Sequence, residues 1–266
     1  LATCLLSCAQ GLRVLAPGLP ARYLSLAGRL DALANAMRFP PLYDYDAELF
    51  FVGVHPEQAN ESPAHYDLLA SEARLLSYVS IMLGQIPVRH WYRLGRARAY
   101  TRRGQTLLSY GGTMFEYMMP LLFHPLVRGT LLDAALRSAL YEQAAHRLGG
   151  AFGVSESGYY AFDPELFYQY KAFGIPALAL NPKTSRDVVT PYASALSLAV
   201  DLKLSFANLL RLQSMGLEGP MGYMEAADFR ERTRGAGERD GRKQPYRIVR
   251  SHMAHHQGMI LLSICN

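Results

Sequence analysis

The chain has 266 residues, of which 50% are hydrophobic, 18% are charged and 11% are aromatic, and its formal net charge is +5. This composition excludes intrinsic disorder, which requires low hydrophobicity and high net charge. Three cysteines, all near the ends of the chain, exclude a disulfide-rich scaffold. The basic residues lack the motifs of a nucleic-acid-binding module, so we expect no nucleic-acid partner.

Hydrophobic periodicity predicts a mainly helical chain. Leucines at helical spacing predict a first helix at residues 21–37, which ends before two prolines. Residues 42–55 predict a short β-hairpin with its turn at 44–47, followed by a polar loop at 56–63. Later helices are predicted at 66–83, 114–123, 130–148, 191–200, 203–215 and 251–265, with a basic connection at 87–103 and a polar, glycine-rich loop at 230–244.

Loops rich in glycine and aromatic residues separate several of these helices. They lie at 109–112, 153–160 and 219–225, and a glutamate lies in or just after each of them. Helical pairs that present polar loops at one end are typical of an α/α toroid. An irregular helical bundle would have the same local pattern, so the residues alone predict an all-α fold and leave these two arrangements open.

Glu72 lies between Leu69 and Leu75 on the apolar face of the predicted helix 66–83. A buried carboxylate is costly unless it is paired or faces a polar cavity. Burial also raises the pKa of a carboxyl group, as a general acid requires. The structural alternative is a salt bridge to an arginine elsewhere in the fold.

Glu156 lies in a loop between two glycines, close to Tyr159 and Tyr160. This setting fits a sugar site, where aromatic rings stack on sugar faces and carboxylates perform acid and base chemistry. The alternative is an exposed loop acid. Glu116, the only charged residue of its segment, could equally cap a neighbouring helix or loop, and Glu225 with Asp228 repeats the loop arrangement more weakly.

Three histidines, His252, His255 and His256, precede or begin the last predicted helix. No glutamate follows the first of them as in a zinc-protease motif, and no acidic third ligand is near in sequence. We therefore predict no metal site and no other cofactor. These histidines are expected to line a site or to form a hydrogen-bonded network in the core.

Seven segments resemble, in the same order, the glucoamylase-like middle domain of bacterial cyclic β-1,2-glucan synthases. They are YDLLASEAR at 66–74, HWYRLGR at 90–96, GTMFEYMMPLL at 112–122, GVSES at 153–157, YQYKAFGIP at 168–176, GYMEA at 222–226 and MAHHQGM at 253–259. The resemblance extends from about residue 33 to residue 266.

The resemblance implies an (α/α)6-barrel that is incomplete in this chain, with a small β-hairpin insertion near residues 42–55. Residues 1–36 would be an N-terminal helical segment from a preceding helix layer, and residues 37–266 a truncated glucoamylase-like barrel domain. The chain begins without methionine and ends inside an apolar run at 259–262, which also led us to expect a piece of a longer protein.

The implied activity is a retaining transglycosylation that closes a linear β-1,2-glucan into a ring. The implied partners are the glucan and the flanking glycosyltransferase and phosphorylase-like domains of the same polypeptide. Such a polypeptide would lie at the cytoplasmic side of the bacterial inner membrane as a larger membrane protein. Two rival functions stay open: a β-1,2-glucan hydrolase, and a glucan-binding module without catalytic activity.

Carried over residue by residue, the resemblance implies Glu156 as the nucleophile and Glu72 as the acid/base. Both carboxyl groups must then face one cavity. Further residues are expected to bind the glucan: Asp67, Tyr110, Glu116, Tyr159, Tyr168, Glu225, His255 and His256.

Overall fold

A computed structural model describes residues 1–18, 20–53, 64–181, 183–230, 237–239 and 242–266. The predicted polar loop at 56–63 therefore lies outside the described residues, as does part of the loop at 230–244. The chain forms two compact units. Unit 1 comprises Leu1–Leu69 and Ala73–Gly95, and unit 2 comprises Ala70–Glu72 and Arg96–Asn266.

Unit 1 contains two longer helices, two shorter ones and a small sheet. Its elements are α1 (Ala2–Leu15), α2 (Arg22–Ala36), β1 (Tyr43–Asp44), β2 (Leu49–Phe51), β3 (His65–Tyr66), α3 (Arg74–Met82) and α4 (Arg89–Arg93). Helices α1 and α2 pack together through the fully buried Ala9, Ala27 and Ala34. The predicted helix at 21–37 is confirmed.

The predicted β-hairpin at 42–55 is also confirmed. Strands β1 and β2 pair antiparallel, with Tyr43 opposite Phe50. Asp44 builds the turn, because its Oδ1 accepts hydrogen bonds from the amides of Asp46 and Ala47 at 2.9 and 3.0 Å. Strand β3 adds to the other edge of β2 and makes a three-stranded sheet.

The predicted helix at 66–83 is wrong in its first half, because α3 begins only at Arg74. Before it, the chain forms strand β3 and then a series of bends and turns, and it pairs with a distant segment: the amide of Leu69 donates to the carbonyl of Gly95 at 3.0 Å. Glu72 consequently lies in the turn just before α3 and not on a buried helix face. The prediction that Glu72 lies on the apolar face of a helix is therefore wrong, although Glu72 still belongs to the site described below.

Unit 2 contains five helices and eleven short strands among the described residues. The helices are α5 (Met114–Met118), α6 (Leu131–Ala145), α7 (Pro191–Leu196), α8 (Leu202–Ser214) and α9 (Ala254–Cys265). The strands are β4 (Arg98–Thr101), β5 (Gly104–Leu107), β6 (Ser157–Phe162), β7 (Tyr168–Lys171), β8 (Val188–Val189), β9 (Glu218–Gly219), β10 (Gly222–Tyr223), β11 (Ala226–Asp228), β12 (Gly237–Arg239), β13 (Arg242–Gln244) and β14 (Arg247–Val249).

These strands depart from the all-α prediction, while the helix-rich character of the fold is confirmed. Strands β14, β11 and β8 form one antiparallel sheet, and the other strands of unit 2 pair as two-stranded hairpins. The hairpin of β6 and β7 starts directly after Glu156 and carries many of the predicted aromatic residues. It was missed because the side chains of β6 do not alternate between buried and exposed.

Helix α7 lies at the centre of unit 2. All six of its residues are buried, and it packs against α5, α8 and α9. Helices α5 and α7 each continue into a short 3-10 turn, which accounts for the longer helices predicted there. Among the described residues, every helix is too short or too polar to cross a membrane.

Candidate active site

Glu156 lies in a loop, residues 153–156, that side chains from other elements of unit 2 hold in place. At its start, Gly153 has a φ of +116°, which a residue with a Cβ atom rarely adopts. Gln143 of α6 then pairs with both backbone groups of Val154, each at 2.9 Å. The loop is therefore fixed before the chain reaches the predicted nucleophile.

Tyr192 of α7 holds the backbone at Glu156 itself. Its hydroxyl lies 2.8 Å from Oγ of Ser155 and donates to the carbonyl oxygen of Glu156 at 2.9 Å. Oγ of Ser155 also accepts from the amide of Phe115 at 3.0 Å. Burial raises the pKa of Tyr192 well above its usual value, so this hydroxyl remains a donor at all ordinary pH values.

Glu225 holds the chain just beyond Glu156. Its Oε1 accepts from the amide of Gly158, and its Oε2 pairs with Nδ1 of His256, both at 2.9 Å. Glu225 and His256 are each 2% exposed. The ring of His256 also stacks on that of Tyr192, with 3.8 Å between centroids and 14° between planes. Tyr192 and Glu225, which hold the backbone at and just beyond Glu156, therefore both contact His256.

The carboxyl group of Glu156 has a perturbed pKa. Burial raises the pKa of Glu156 to about 7, and the negative charges of Glu72 and Glu116 add to this effect. The hydroxyl of Tyr170 lies 3.5 Å from Oε2 of Glu156 and acts in the opposite direction. Burial and the charge of Glu156 raise the pKa of Tyr170, so its hydroxyl stays protonated. The three glutamates therefore interact electrostatically within unit 2.

Glu116 orders the loop that carries Tyr110. Its carboxylate accepts hydrogen bonds from Oγ of Ser109 and from the amides of Gly111 and Thr113, all at 2.8 Å. It also completes a capping box with Thr113 at the start of α5. Burial raises the pKa of Glu116, while these hydrogen bonds lower it. Tyr110 itself is 65% exposed.

Glu72 is half-buried, and Oγ of Ser71 donates to its Oε2 at 3.2 Å. Its charge raises the pKa of both Glu116 and Glu156, which places the three carboxyl groups within electrostatic reach of one another. The two residues predicted to perform the chemistry are thus brought together in one unit.

The β6–β7 hairpin, which begins directly after Glu156, carries a group of aromatic rings. Tyr159 is half-buried, and the guanidinium of Arg230 lies 4.1 Å from its ring centroid. Tyr168 is also half-buried and packs on Phe162 with 4.6 Å between centroids. Such rings combine an apolar face with a polar edge, which suits contact with a sugar.

The remaining predicted residues differ in position. His255 is exposed, its ring centroid lies 4.0 Å from that of His256, and burial together with His256 lowers its pKa. Asp67 is exposed and belongs to unit 1, whereas the other predicted site residues belong to unit 2. Within the described part of the chain, no group of three or more acidic, cysteine or histidine side chains could hold a metal ion.

Sequence reasoning missed the residues that hold the Glu156 loop, above all Gln143 and Tyr192. Gln143 is a fully buried polar residue of α6. Such a residue needs hydrogen-bond partners, and unpaired backbone groups of a loop are common ones. Tyr192 gave no comparable signal among the many tyrosines of the chain.

The raised pKa of Glu156 predicts a pH-dependent loss of stability that Glu156→Gln removes. The folded state binds the proton of the Glu156 carboxyl group more tightly than the unfolded chain does, because the pKa of this group is near 4.5 when unfolded and about 7 when folded. The free energy of unfolding therefore falls as the pH rises from about 4.5 to about 7. At pH 8 the free energy of unfolding of Glu156→Gln should exceed that of the parent by at most about 3 kcal/mol. The difference should vanish near pH 4.

Denaturant unfolding at both pH values measures this difference. Glu165→Gln, at an exposed position of the turn between β6 and β7, controls for the loss of one negative charge. A constant difference between parent and Glu156→Gln from pH 4 to pH 8 would show that the environment of this carboxyl group is not as described.

Comparison with known proteins identifies relatives in sequence and in fold. The chain is 38% identical over 248 residues to "Cyclic beta-(1,2)-glucan synthase NdvB" of Rhizobium meliloti (strain 1021). The match covers 92% of this chain and only 8% of that much longer protein. No family model matches the chain.

Two solved structures have the same fold at 15% sequence identity. An endo-β-1,2-glucanase from Talaromyces funiculosus, in complex with sophorose, matches 98% of this chain and 56% of its own, with a TM-score of 0.68. An endo-β-1,2-glucanase from Chitinophaga pinensis, in complex with sophorotriose and glucose, matches 100% of this chain and 63% of its own, with a TM-score of 0.66. The resemblance to the cyclic β-1,2-glucan synthases that the motifs indicated is thereby confirmed: the chain is a relative of one segment of such a synthase, with a fold shared by β-1,2-glucanases.

Proposed function

We propose that this chain acts on β-1,2-glucan by retaining transglycosylation and closes a linear glucan into a ring. The observation that carries the proposal is the loop of Glu156: its backbone is fixed on both sides, and its carboxyl group interacts with Glu72 and lies 3.5 Å from the hydroxyl of Tyr170. A carboxylate held in this way is suited to attack a sugar carbon in a fixed geometry.

In the proposed first step, the carboxylate of Glu156 attacks the anomeric carbon of a glucose unit. The bond from that carbon to the bridging oxygen breaks, and Glu72 protonates the leaving oxygen, directly or through a hydroxyl or a water. In the second step, the 2-hydroxyl at the far end of the same glucan attacks the anomeric carbon. Glu72 takes its proton, Glu156 leaves, and no water is consumed.

The acidic neighbours of Glu156 also have a proposed role in the transition state. The sugar ring becomes positively charged when the glycosidic bond breaks. The negative charges of Glu72 and Glu116 oppose ionisation of Glu156 in the free protein, and the same charges would stabilise the positive sugar. The raised pKa of Glu156 in the free protein is therefore compatible with a nucleophile that ionises near neutral pH.

The other predicted residues divide into two groups by burial. Tyr110, Tyr159, Tyr168 and His255 are exposed or half-buried, and we propose that they contact the glucan. Asp67 is exposed and belongs to unit 1, and its part in glucan binding stays a prediction. Glu116, Glu225 and His256 are buried, and we propose that they shape the cleft through the loops they hold. No cofactor is assigned a role.

The helices of the chain are proposed to belong to an (α/α)6-barrel, with residues 37–266 as the truncated glucoamylase-like domain and residues 1–36 as a preceding segment. The match to a small segment of a long synthase supports a larger parent polypeptide. We propose that glycosyltransferase and phosphorylase-like domains flank this one, at the cytoplasmic side of the bacterial inner membrane.

Incubation of the full-length protein with linear β-1,2-glucan tests the proposed function. Transglycosylation within one chain gives cyclic products, whose masses are one water lower than those of linear glucans with the same number of glucose units. Hydrolysis, the activity named for the two solved relatives, gives shorter linear glucans and new reducing ends. Only linear products would contradict cyclisation, and unchanged glucan would favour a binding module.

A further inference from the structure

His256 is a buried histidine whose ring pairs with a buried carboxyl group. Its Nδ1 faces Oε2 of Glu225 at 2.9 Å, and an ionised carboxylate can only accept a hydrogen bond. Nδ1 is therefore the donor of this hydrogen bond. Among the described residues, no group forms a hydrogen bond with Nε2, which is itself buried.

Two routes connect His256 to the backbone that carries Glu156. In the first, the donation from Nδ1 orients Glu225, whose other oxygen accepts from the amide of Gly158, two residues beyond Glu156. In the second, the ring of His256 stacks on Tyr192, whose hydroxyl donates to the carbonyl of Glu156. Neither route includes a direct contact between the side chains of His256 and Glu156.

We propose that His256 is a positioning residue for Glu156 and acts through the first route, by way of Glu225. This inference rests on the proposed function, in which Glu156 is the reacting group. A buried carboxylate that loses its donor is costly, so Glu225 would move or attract water once Nδ1–H is absent. Because Glu225 holds Gly158, the carboxyl group of Glu156 would then lose its fixed position.

The burial of His256 determines which kinetic constant should change. Its Nε2 is inaccessible, so a bound glucan has no direct contact with this ring. Loss of the Nδ1 donor should therefore lower kcat and leave KM unchanged. A misplacement of a reacting group by about 1 Å can cost a factor of about 100 in rate.

Two substitutions separate the routes. His256→Asn keeps an amide donor near the position of Nδ1 but removes the stacked ring. It also removes Nε2, which has no hydrogen bond to lose. His256→Phe keeps a ring that can stack on Tyr192 but removes the donor to Glu225.

In the full-length enzyme with linear β-1,2-glucan, we expect His256→Asn to retain kcat within about threefold. His256→Phe should lower kcat by about 100-fold with KM unchanged. His146→Asn is the matched control, because His146, the residue directly after α6, lies 3.6 Å from Glu142 of that helix and is not part of the proposed site. If His256→Phe does not fold, as judged by its thermal unfolding, His256→Gln takes its place. Like His256→Asn it lacks the ring, but its amide lies one carbon farther from the backbone than the position of Nδ1. A loss of kcat by about 100-fold in His256→Gln, against at most about threefold in His256→Asn, then reports the missing donor to Glu225.

Parental kcat in His256→Phe, equal losses in both variants, or a change confined to KM would each overturn the role assigned to His256. Measurement of Glu156→Gln in the same assay distinguishes this failure from that of the proposed function. An inactive Glu156→Gln with a fully active His256→Phe refutes only the positioning role. An active Glu156→Gln refutes the proposed function itself.

Discussion

Glu156→Gln should lower the turnover of linear β-1,2-glucan by about 10⁴-fold or more, because a neutral amide cannot form the glycosyl ester of the first step. The substitution preserves the size of the side chain, and the backbone hydrogen bonds to Tyr192 and Glu225 lie outside it. Binding of the glucan should therefore persist. The measurement is product formation by the full-length protein, together with calorimetric titration of the inactive variant with glucan.

The control for this experiment is Glu165→Gln, which neutralises an exposed acid on the same hairpin and should retain full turnover. Turnover of Glu156→Gln within tenfold of the parent would exclude Glu156 as the nucleophile. Loss of glucan binding together with turnover would instead indicate that the loop had been displaced.

Glu72→Gln should lower turnover of glucan by about 10²- to 10⁴-fold, the range that general acid catalysis supplies. The reason is that the leaving oxygen of a glucan needs a proton to depart. A donor with a good leaving group, such as a β-1,2-linked glucosyl fluoride, does not need this proton in the first step. The first step with the fluoride should therefore be nearly as fast in Glu72→Gln as in the parent.

The comparison of the two donors is the measurement, because it separates acid catalysis from other roles of Glu72. Fluoride release in a single turnover reports the first step alone. An equal loss of rate with glucan and with the fluoride would contradict the assignment of Glu72 as the acid. Such a result would be expected if Glu72 only shaped the local electrostatic field around Glu156.

The helices predicted most successfully were those with a clear apolar face and a defined start. Helix α2 follows the leucine spacing at 21–37, and Thr130 and Asp201 cap the starts of α6 and α8 with side-chain hydrogen bonds. The segment before α3 shows how such reasoning fails. Its leucines have helical spacing, but the amide of Leu69 pairs with Gly95, about 26 residues away in sequence, and this non-local pairing overrides the local preference.

Part of the candidate site could be predicted from the sequence. Glycines on both sides and nearby tyrosines point to the loop of Glu156, which combines a constrained backbone with a perturbed carboxyl group. The residues that hold this loop could not be predicted from the local sequence, because Tyr192 and Glu225 lie 36 and 67 residues away from the backbone groups that they bind. Tyr192 and Glu225 reach the loop of Glu156 through the tertiary packing of α7 and of the chain just before β11.

Covalent trapping of the sugar on Glu156 tests the central claim most directly. Glu72→Gln in the full-length protein, given the activated fluoride, should form the glycosyl ester quickly and release it slowly, because the acceptor hydroxyl lacks its base. Mass spectrometry of peptides from the quenched protein should then find one added glycosyl group on the peptide that contains Glu156. Consumption of the fluoride without any adduct on that peptide, or with the adduct on another residue, would contradict the account.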